Sequence, residues 1–164
     1  MIWISNEEKA CTYFNKQWLD FTGRSMEEEL GMGWAAGVHS EDYDRCLEIY
    51  AGNFDERKPF EMEYRLRAKD GAYRWVLDKA TPRFSSDQVF LGYIGSSLDI
   101  TERKEAEAEV LRLNQELEAR VIERTAHLEQ EIAERVRAEM EGSHALRVPL
   151  EVSAGRGATW FDVH

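Results

Sequence analysis

The sequence predicts an α+β domain, a five-stranded antiparallel sheet with short helices on one face, followed by a long C-terminal α-helix. Three observations predict it. Phe60, Met62, Tyr64 and Leu66 alternate with Glu61, Glu63, Arg65 and Arg67, the period-two pattern of a strand with one buried and one wet face. Before this strand lie short segments that open on cap residues and close on glycine. After Ile100 the chain runs to Gly142 without a Gly or Pro and is rich in Glu, Arg, Ala and Leu, the composition of one long helix.

Taken in order, Met1–Ser5 and Ala10–Phe14 read as two short strands joined by the polar turn Asn6–Lys9. Asn15 is placed to cap a helix that Gly23 stops, and Ser25 with Glu28 forms a capping-box pattern for a second, ended by Gly31 and Gly33. Trp34–His39 is a loop or a single turn. Ser40, followed by Glu41 and Asp42, caps a third helix whose apolar face is Tyr43, Cys46, Leu47 and Tyr50, and Asn53–Lys58 is a polar connector. Asp70-Gly71 turns the Phe60 strand back into Tyr73–Leu77, with Pro82 marking an edge or an end. Val89–Leu98 is the last strand, in which Gly92 and Gly95 suggest a bulge or a close backbone approach. A sheet with one apolar face must be covered, and the short helices are the only cover available. At Asp99 the sheet gives way to the helix: Asp99 with Glu102 three residues later is again a capping-box pattern.

Composition narrows the function. The chain has 164 residues, 43% of them hydrophobic, and a formal net charge of −11. Such acidity repels a phosphate backbone or an anionic bilayer surface, so neither nucleic acid nor membrane is an expected partner. Cys11 and Cys46 lie in no metal-binding spacing and read as reduced thiols of a cytoplasmic protein; no metal site is expected. No apolar run reaches membrane-spanning length. Because Ile2-Trp3-Ile4 is already strand-like, an upstream element is expected to precede the chain.

Several separated motifs then occur in a recognisable order: Thr12-Tyr13-Phe14-Asn15 through Phe21-Thr22-Gly23, Gly37-Val38-His39-Ser40-Glu41-Asp42, Phe60–Leu66, Asp70-Gly71-x-Tyr73-Arg74-Trp75-Val76, and Gly92-Tyr93-Ile94-Gly95 leading to Leu98–Lys104. Together they resemble bacterial PAS sensory domains with their PAC-type C-terminal motif, which stand in front of sensor histidine kinases. The resemblance implies a sensor domain over residues 1–100, with a pocket between sheet and helices for a small molecule, redox or other intracellular signal. Candidate pocket residues are Trp18, Phe21, Trp34, Leu47, Met62, Tyr64, Trp75, Leu77 and Ile94; for any one of them a plain core role competes with ligand contact. Asp99, Thr101, Glu102, Arg74 and Trp75 are the candidate transmission residues, through which a cap bonded back to the Arg74-Trp75 strand would couple sheet to helix.

Residues 101–141 are similar to signalling linkers of the same kinases. Val110, Val121 and Ile132 recur every eleven residues, as do Leu117 and Leu128, and Leu113 joins the same seam. A lone helix of roughly 60 Å, at 1.5 Å per residue, leaves that seam wet, so a parallel two-stranded coil and hence a homodimer is expected. Favourable i,i+4 pairs are expected at Glu116–Arg120 and Glu131–Arg135. In the tail, 142–164, Ser143–Leu150 resembles a histidine-kinase phosphoacceptor box, but Ala145 stands where the acidic neighbour of His144 belongs, and no ATP-binding box is present. His144 is therefore a weak phosphoacceptor candidate, and the chain is expected to be no enzyme.

The expected output partner is a histidine-kinase catalytic region or a response regulator. Two other readings stay open, phosphorylation of His144 in trans and a ligand-free dimerisation scaffold. The cofactor is unknown. Haem would need His39, which reads better as a turn residue, and the context of Cys46 lacks the Asn-Cys-Arg-Phe-Leu run of flavin-binding light sensors.

Overall fold

The computed structural model describes residues 1–142, in two units that meet between Ala108 and Glu109. The first hairpin, β1 (Ile2–Ser5) and β2 (Cys11–Phe14), is followed by α1 (Lys16–Thr22), α2 (Met26–Glu29), a 3₁₀ turn at Gly33–Gly37, and α3 (Ser40–Glu56). A meander of β3 (Phe60–Arg67), β4 (Tyr73–Phe84) and β5 (Phe90–Asp99) leads into α4 (Thr101–Gly142). The sheet order is β2-β1-β5-β4-β3, antiparallel throughout, so the first strand of the chain lies beside the last.

Local chemistry explains most boundaries. The Asn15 side chain accepts from the Trp18 amide and from the Ile2 amide, so one residue both caps α1 and ties it to β1. The Ser25–Glu28 capping box forms reciprocally at α2. Both edges of the sheet are covered: Cys11 of β2 exchanges backbone hydrogen bonds with Gly31, and Arg65 of β3 gives its carbonyl to His39. Such cover removes the pairing template that an open edge presents.

The structure corrects four expectations. The cap of α3 is His39, whose Nδ1 accepts from the Glu41 amide, so Ser40 is already helical. That helix runs through Gly52 and Asn53 to Glu56, because Phe54 continues the buried face Cys46–Tyr50 and its burial, about 2 kcal/mol or more, exceeds the roughly 1 kcal/mol cost of a helical glycine. Tyr43, by contrast, is exposed. Of the two readings of Pro82, the edge is the one the structure has: strand β4 continues past it to Phe84, since its pairing with β3 ends at Ala80 and a missing N–H is tolerated on an unpaired side. At the α4 start, finally, the Asp99 carboxylate accepts from the Thr101 amide rather than from the third helical amide.

The inner face of the sheet is set by strand alternation. Phe60, Met62, Tyr64 and Leu66, with Val76, Ala80 and Tyr93, meet Trp34, Cys46, Tyr50 and Phe54 from the helical layer. Cross-strand register aligns Trp3, Gly95, Ala80 and Phe60 in one row. Gly95 is required there because a Cβ on it would lie 2.1 Å from the Trp3 indole. The small residue lets that ring cross β5 and reach β4.

Every described residue of α4 beyond Lys104 is exposed, including the seam residues Val110, Leu113, Leu117, Val121, Leu128 and Ile132. Its ion pairs differ from those expected. Arg112 rather than Arg120 holds Glu116, and Arg135 reaches Glu139 rather than Glu131. No described helix is long and apolar enough to cross a membrane.

Candidate functional site

Two places in the domain gather polar chemistry. The first is a cavity between the inner sheet face and the helices. Its centre is the Trp3 indole, which crosses Gly95 and donates from Nε1 to Asp78 Oδ1 at 2.9 Å. Ser97 Oγ donates to the same oxygen at 3.0 Å. Tyr50 of α3 meets Trp3 at 6.1 Å and Trp34 at 5.7 Å between ring centroids, both edge-on, and Trp34 lies 6.5 Å from Tyr64. Phe14, Trp18, Cys11 and Met62 complete the wall. The space open to the centre of a water molecule is about 10 Å³, room for about one water in this state.

Of the candidate pocket residues, Trp18, Trp34, Met62 and Tyr64 therefore stand on the wall. Phe21 and Leu47 are part-buried against the core without reaching it. Trp75, Leu77 and Ile94 are on the opposite face of the sheet, because Val76, Asp78 and Tyr93 point inward and a strand alternates. The sequence reading missed Trp3, Cys11, Phe14, Tyr50 and Asp78. One signal was available for Asp78: it sits two residues after Val76 and two before Ala80, an acid in an inward-facing register.

Burial pushes the Asp78 carboxyl up to about 6, against hydrogen bonds from Trp3 and Ser97 that pull it down. Its ordinary value is 3.8. Between those values the folded chain keeps a proton that the unfolded chain has lost, so this group favours folding at low pH and ceases to as pH rises through 6. The penalty above that range is about 3 kcal/mol for two pKa units. Asp78→Asn can keep both hydrogen bonds on its amide oxygen while removing the charge. We expect urea unfolding between pH 4.5 and 7 to show the variant gaining on the parent chain as pH rises; a constant difference refutes this.

The thiols offer no nucleophile. Burial, aided by Asp78, raises Cys11 to about 12, and burial raises Cys46 to about 11, so neither is a thiolate near neutrality. Among the described residues no cluster of His, Cys, Asp and Glu could hold a metal ion. His39, besides capping α3, stacks edge-on against Tyr73 at 4.7 Å.

The second place is the start of α4. Trp75 gives both backbone groups to it: its carbonyl accepts from the Ile100 amide at 2.8 Å, and its amide donates to Thr101 Oγ1 at 3.0 Å. Thr101 Oγ1 in turn donates to Asp99 Oδ1 at 2.6 Å, and Arg74 Nη1 lies 3.9 Å from Asp99 Oδ2. Lys104 sits 5.5 Å above the Trp75 ring while its ammonium meets Glu63 of β3, which Arg103 also holds. These contacts draw Arg74, Trp75, Asp99 and Thr101 together. Glu102 lines the adjoining surface groove without reaching back to a cap amide. The tail bearing His144 lies outside the described residues.

A single antiparallel sheet, covered on one face and enclosing an aromatic cavity, defines a small pocket-bearing module of mixed α and β structure. The family model described as the PAS fold matches residues 12–97, and the chain belongs to that family. An uncharacterised protein of Sinorhizobium fredii, y4lL, is 44% identical over 68% of the chain, an alignment that covers 13% of its own length. The peroxide stress-activated histidine kinase mak1 of Schizosaccharomyces pombe is 30% identical over 92% of the chain and 9% of its own length. A solved sensory box histidine kinase/response regulator from Burkholderia thailandensis superimposes with a TM-score of 0.55 at 24% identity, covering 73% of this chain and 89% of that one. The chain thus spans a small fraction of these two curated relatives. It is a PAS sensory domain related to the sensor regions of histidine kinases, followed by a long helix.

Proposed function

We propose that this chain is the non-catalytic, cytoplasmic input part of a histidine-kinase-type signalling protein. A small molecule is perceived at the Trp34–Tyr64–Asp78 cavity, and the change leaves through Trp75, Asp99 and Thr101 into α4, which pairs in parallel with a second copy. The receiver is a histidine-kinase catalytic region or a response regulator. The observation that carries this reading is the junction, where both backbone groups of Trp75 are taken up by the first residues leading into α4. A sheet that shifts at Trp75 must shift the helix start with it. The exposed seam Val110–Ile132 supports the pairing, because a continuous apolar stripe along one helix is rarely left to water.

Two measurements test the reading. Light scattering at micromolar concentration should give twice the chain mass, and a monomer would overturn the paired coil. In a fusion of residues 1–142 to a histidine-kinase catalytic region, Thr101→Val should retain the fold and lose signal-dependent autophosphorylation. Val keeps the shape but neither accepts from Trp75 nor donates to Asp99; unchanged regulation would leave the junction a plain helix cap.

A further inference from the structure

The cavity wall has an uneven hydrogen-bond inventory. Trp18 Nε1, Trp34 Nε1 and the Tyr64 hydroxyl are all buried without a hydrogen-bond partner, in residues 1%, 4% and 0% exposed. Leaving such groups unsatisfied costs about 1–3 kcal/mol each, so a native domain seldom collects several on one wall without something for them to hold. Two of the three are indole N–H groups, which only donate. What completes them must bring acceptors.

Charge narrows the guest further. Asp78 is on the same wall, and its Oδ1 is already engaged by Trp3 and Ser97. Glu29 of α2 is 1% exposed, with neither carboxylate oxygen hydrogen-bonded and Arg24 Nη1 at 3.6 Å as its charge partner. Its field reaches both Tyr64 and Cys11. An anion would enter against two buried carboxyl groups. A cation would find Asp78 spoken for and would leave the indole donors unmet. The remaining wall is aromatic, suited to a small carbon frame; because its free space holds about one water in this state, a guest must part the side chains to enter, which favours a compact one.

We propose that the Trp18–Trp34–Tyr64 wall binds a compact uncharged molecule of a few heavy atoms whose oxygen accepts hydrogen bonds, in the manner of a small amide or ketone. The assignment rests on the sensing reading above and gives its signal a chemical class. It also assigns roles: the indoles read the acceptor oxygen, Tyr64 adds a hydroxyl, and the buried carboxyls exclude anions.

Three probes of nearly one shape and different charge separate the possibilities: acetamide, acetate and acetamidinium. The full chain, labelled with ¹⁵N, has five tryptophans whose indole N–H signals are assigned from single Trp→Phe variants. Acetamide should shift the Trp18 and Trp34 signals saturably and leave Trp75, on the other face of the sheet, unmoved; acetate and acetamidinium should not saturate. Tyr64→Phe, which keeps the ring, should raise the acetamide midpoint about tenfold, the worth of one hydrogen bond. Shifts that stay linear, or that appear equally at Trp75, overturn the proposal. Saturation by acetate or acetamidinium instead overturns the class and leaves the sensing reading intact. If no probe saturates and the two indoles show contacts to water alone, the cavity is a hydrated part of the core and both readings fall.

Discussion

Replacing Gly92 with alanine should lower stability by about 4 kcal/mol, at the severe end for one added methyl group. Two independent features of the site add up. The backbone there has φ +92°, a conformation open to glycine and strained for an L side chain. A Cβ would also lie 2.1 Å from the Ser5 carbonyl oxygen and 2.6 Å from Asn6 backbone atoms, none of which can swing aside as a flexible side chain does. Relief requires β1 to move off β5, and that movement breaks the bond from the Tyr93 amide to Ser5 Oγ and disturbs the Trp3–Gly95 crossing. Gly31→Ala is the control. It has φ +67° but nothing within 4 Å of its Cβ, so it should cost only about 1 kcal/mol. Equal losses in urea titrations of the two variants would show that close approach at Gly92 contributes nothing.

Asp42→Ala should cost about 2 kcal/mol at neutral pH, because it breaks a mostly buried ion pair and takes the acceptor from a backbone amide, while Glu41 still holds the Arg65 guanidinium. Asp42 accepts from Arg65 Nε at 2.8 Å, from the Arg65 backbone amide at 3.0 Å and from Arg45 at 3.2 Å. Losing it leaves the edge-strand amide of Arg65 without its acceptor and the Arg65 guanidinium, about a quarter exposed, held by Glu41 alone. The pH dependence runs opposite to that of Asp78. The hydrogen bond from Arg65 is the largest influence and holds the Asp42 carboxyl at about 2, below its ordinary 3.8. The unfolded chain therefore binds this proton first as pH falls, and the stabilisation, complete above about 4, is lost on the way down through 2. The stability difference between parent and variant should be constant from pH 7 to pH 5 and shrink below pH 4. A difference that persists unchanged to pH 2.5 would mean the carboxylate charge does not matter.

These two aspartates mark where sequence reading stops. Both lie in segments whose structure could be read from pattern, Asp42 beside a helix start and Asp78 in a strand, and both are small acids whose partners no local motif names. What separates them is company: Asp42 faces Arg65 across the edge of the sheet, whereas Asp78 faces an indole and a hydroxyl in a closed interior. Company across strands depends on register, and one sequence does not state register. The same limit misplaced Trp75, Leu77 and Ile94. Their apolar character announced a buried face, yet a shift of one residue in alternation decides which face of the sheet they occupy.

By itself the sequence determined the element order, the five antiparallel strands, the short capped helices and the long polar helix with its apolar stripe. Caps, glycine stops and hydrophobic period act over three to seven residues, so they survive in a linear reading. The PAS resemblance rested on the same local motifs. Only the tertiary structure decided that Trp3 reaches Asp78 across Gly95, that the indoles of Trp18 and Trp34 share a wall with Tyr64, and that Trp75 holds the start of α4 by both of its backbone groups. Each of these contacts joins residues from different strands or layers. Cross-strand register and burial create them, and neither is written in the spacing of neighbouring residues.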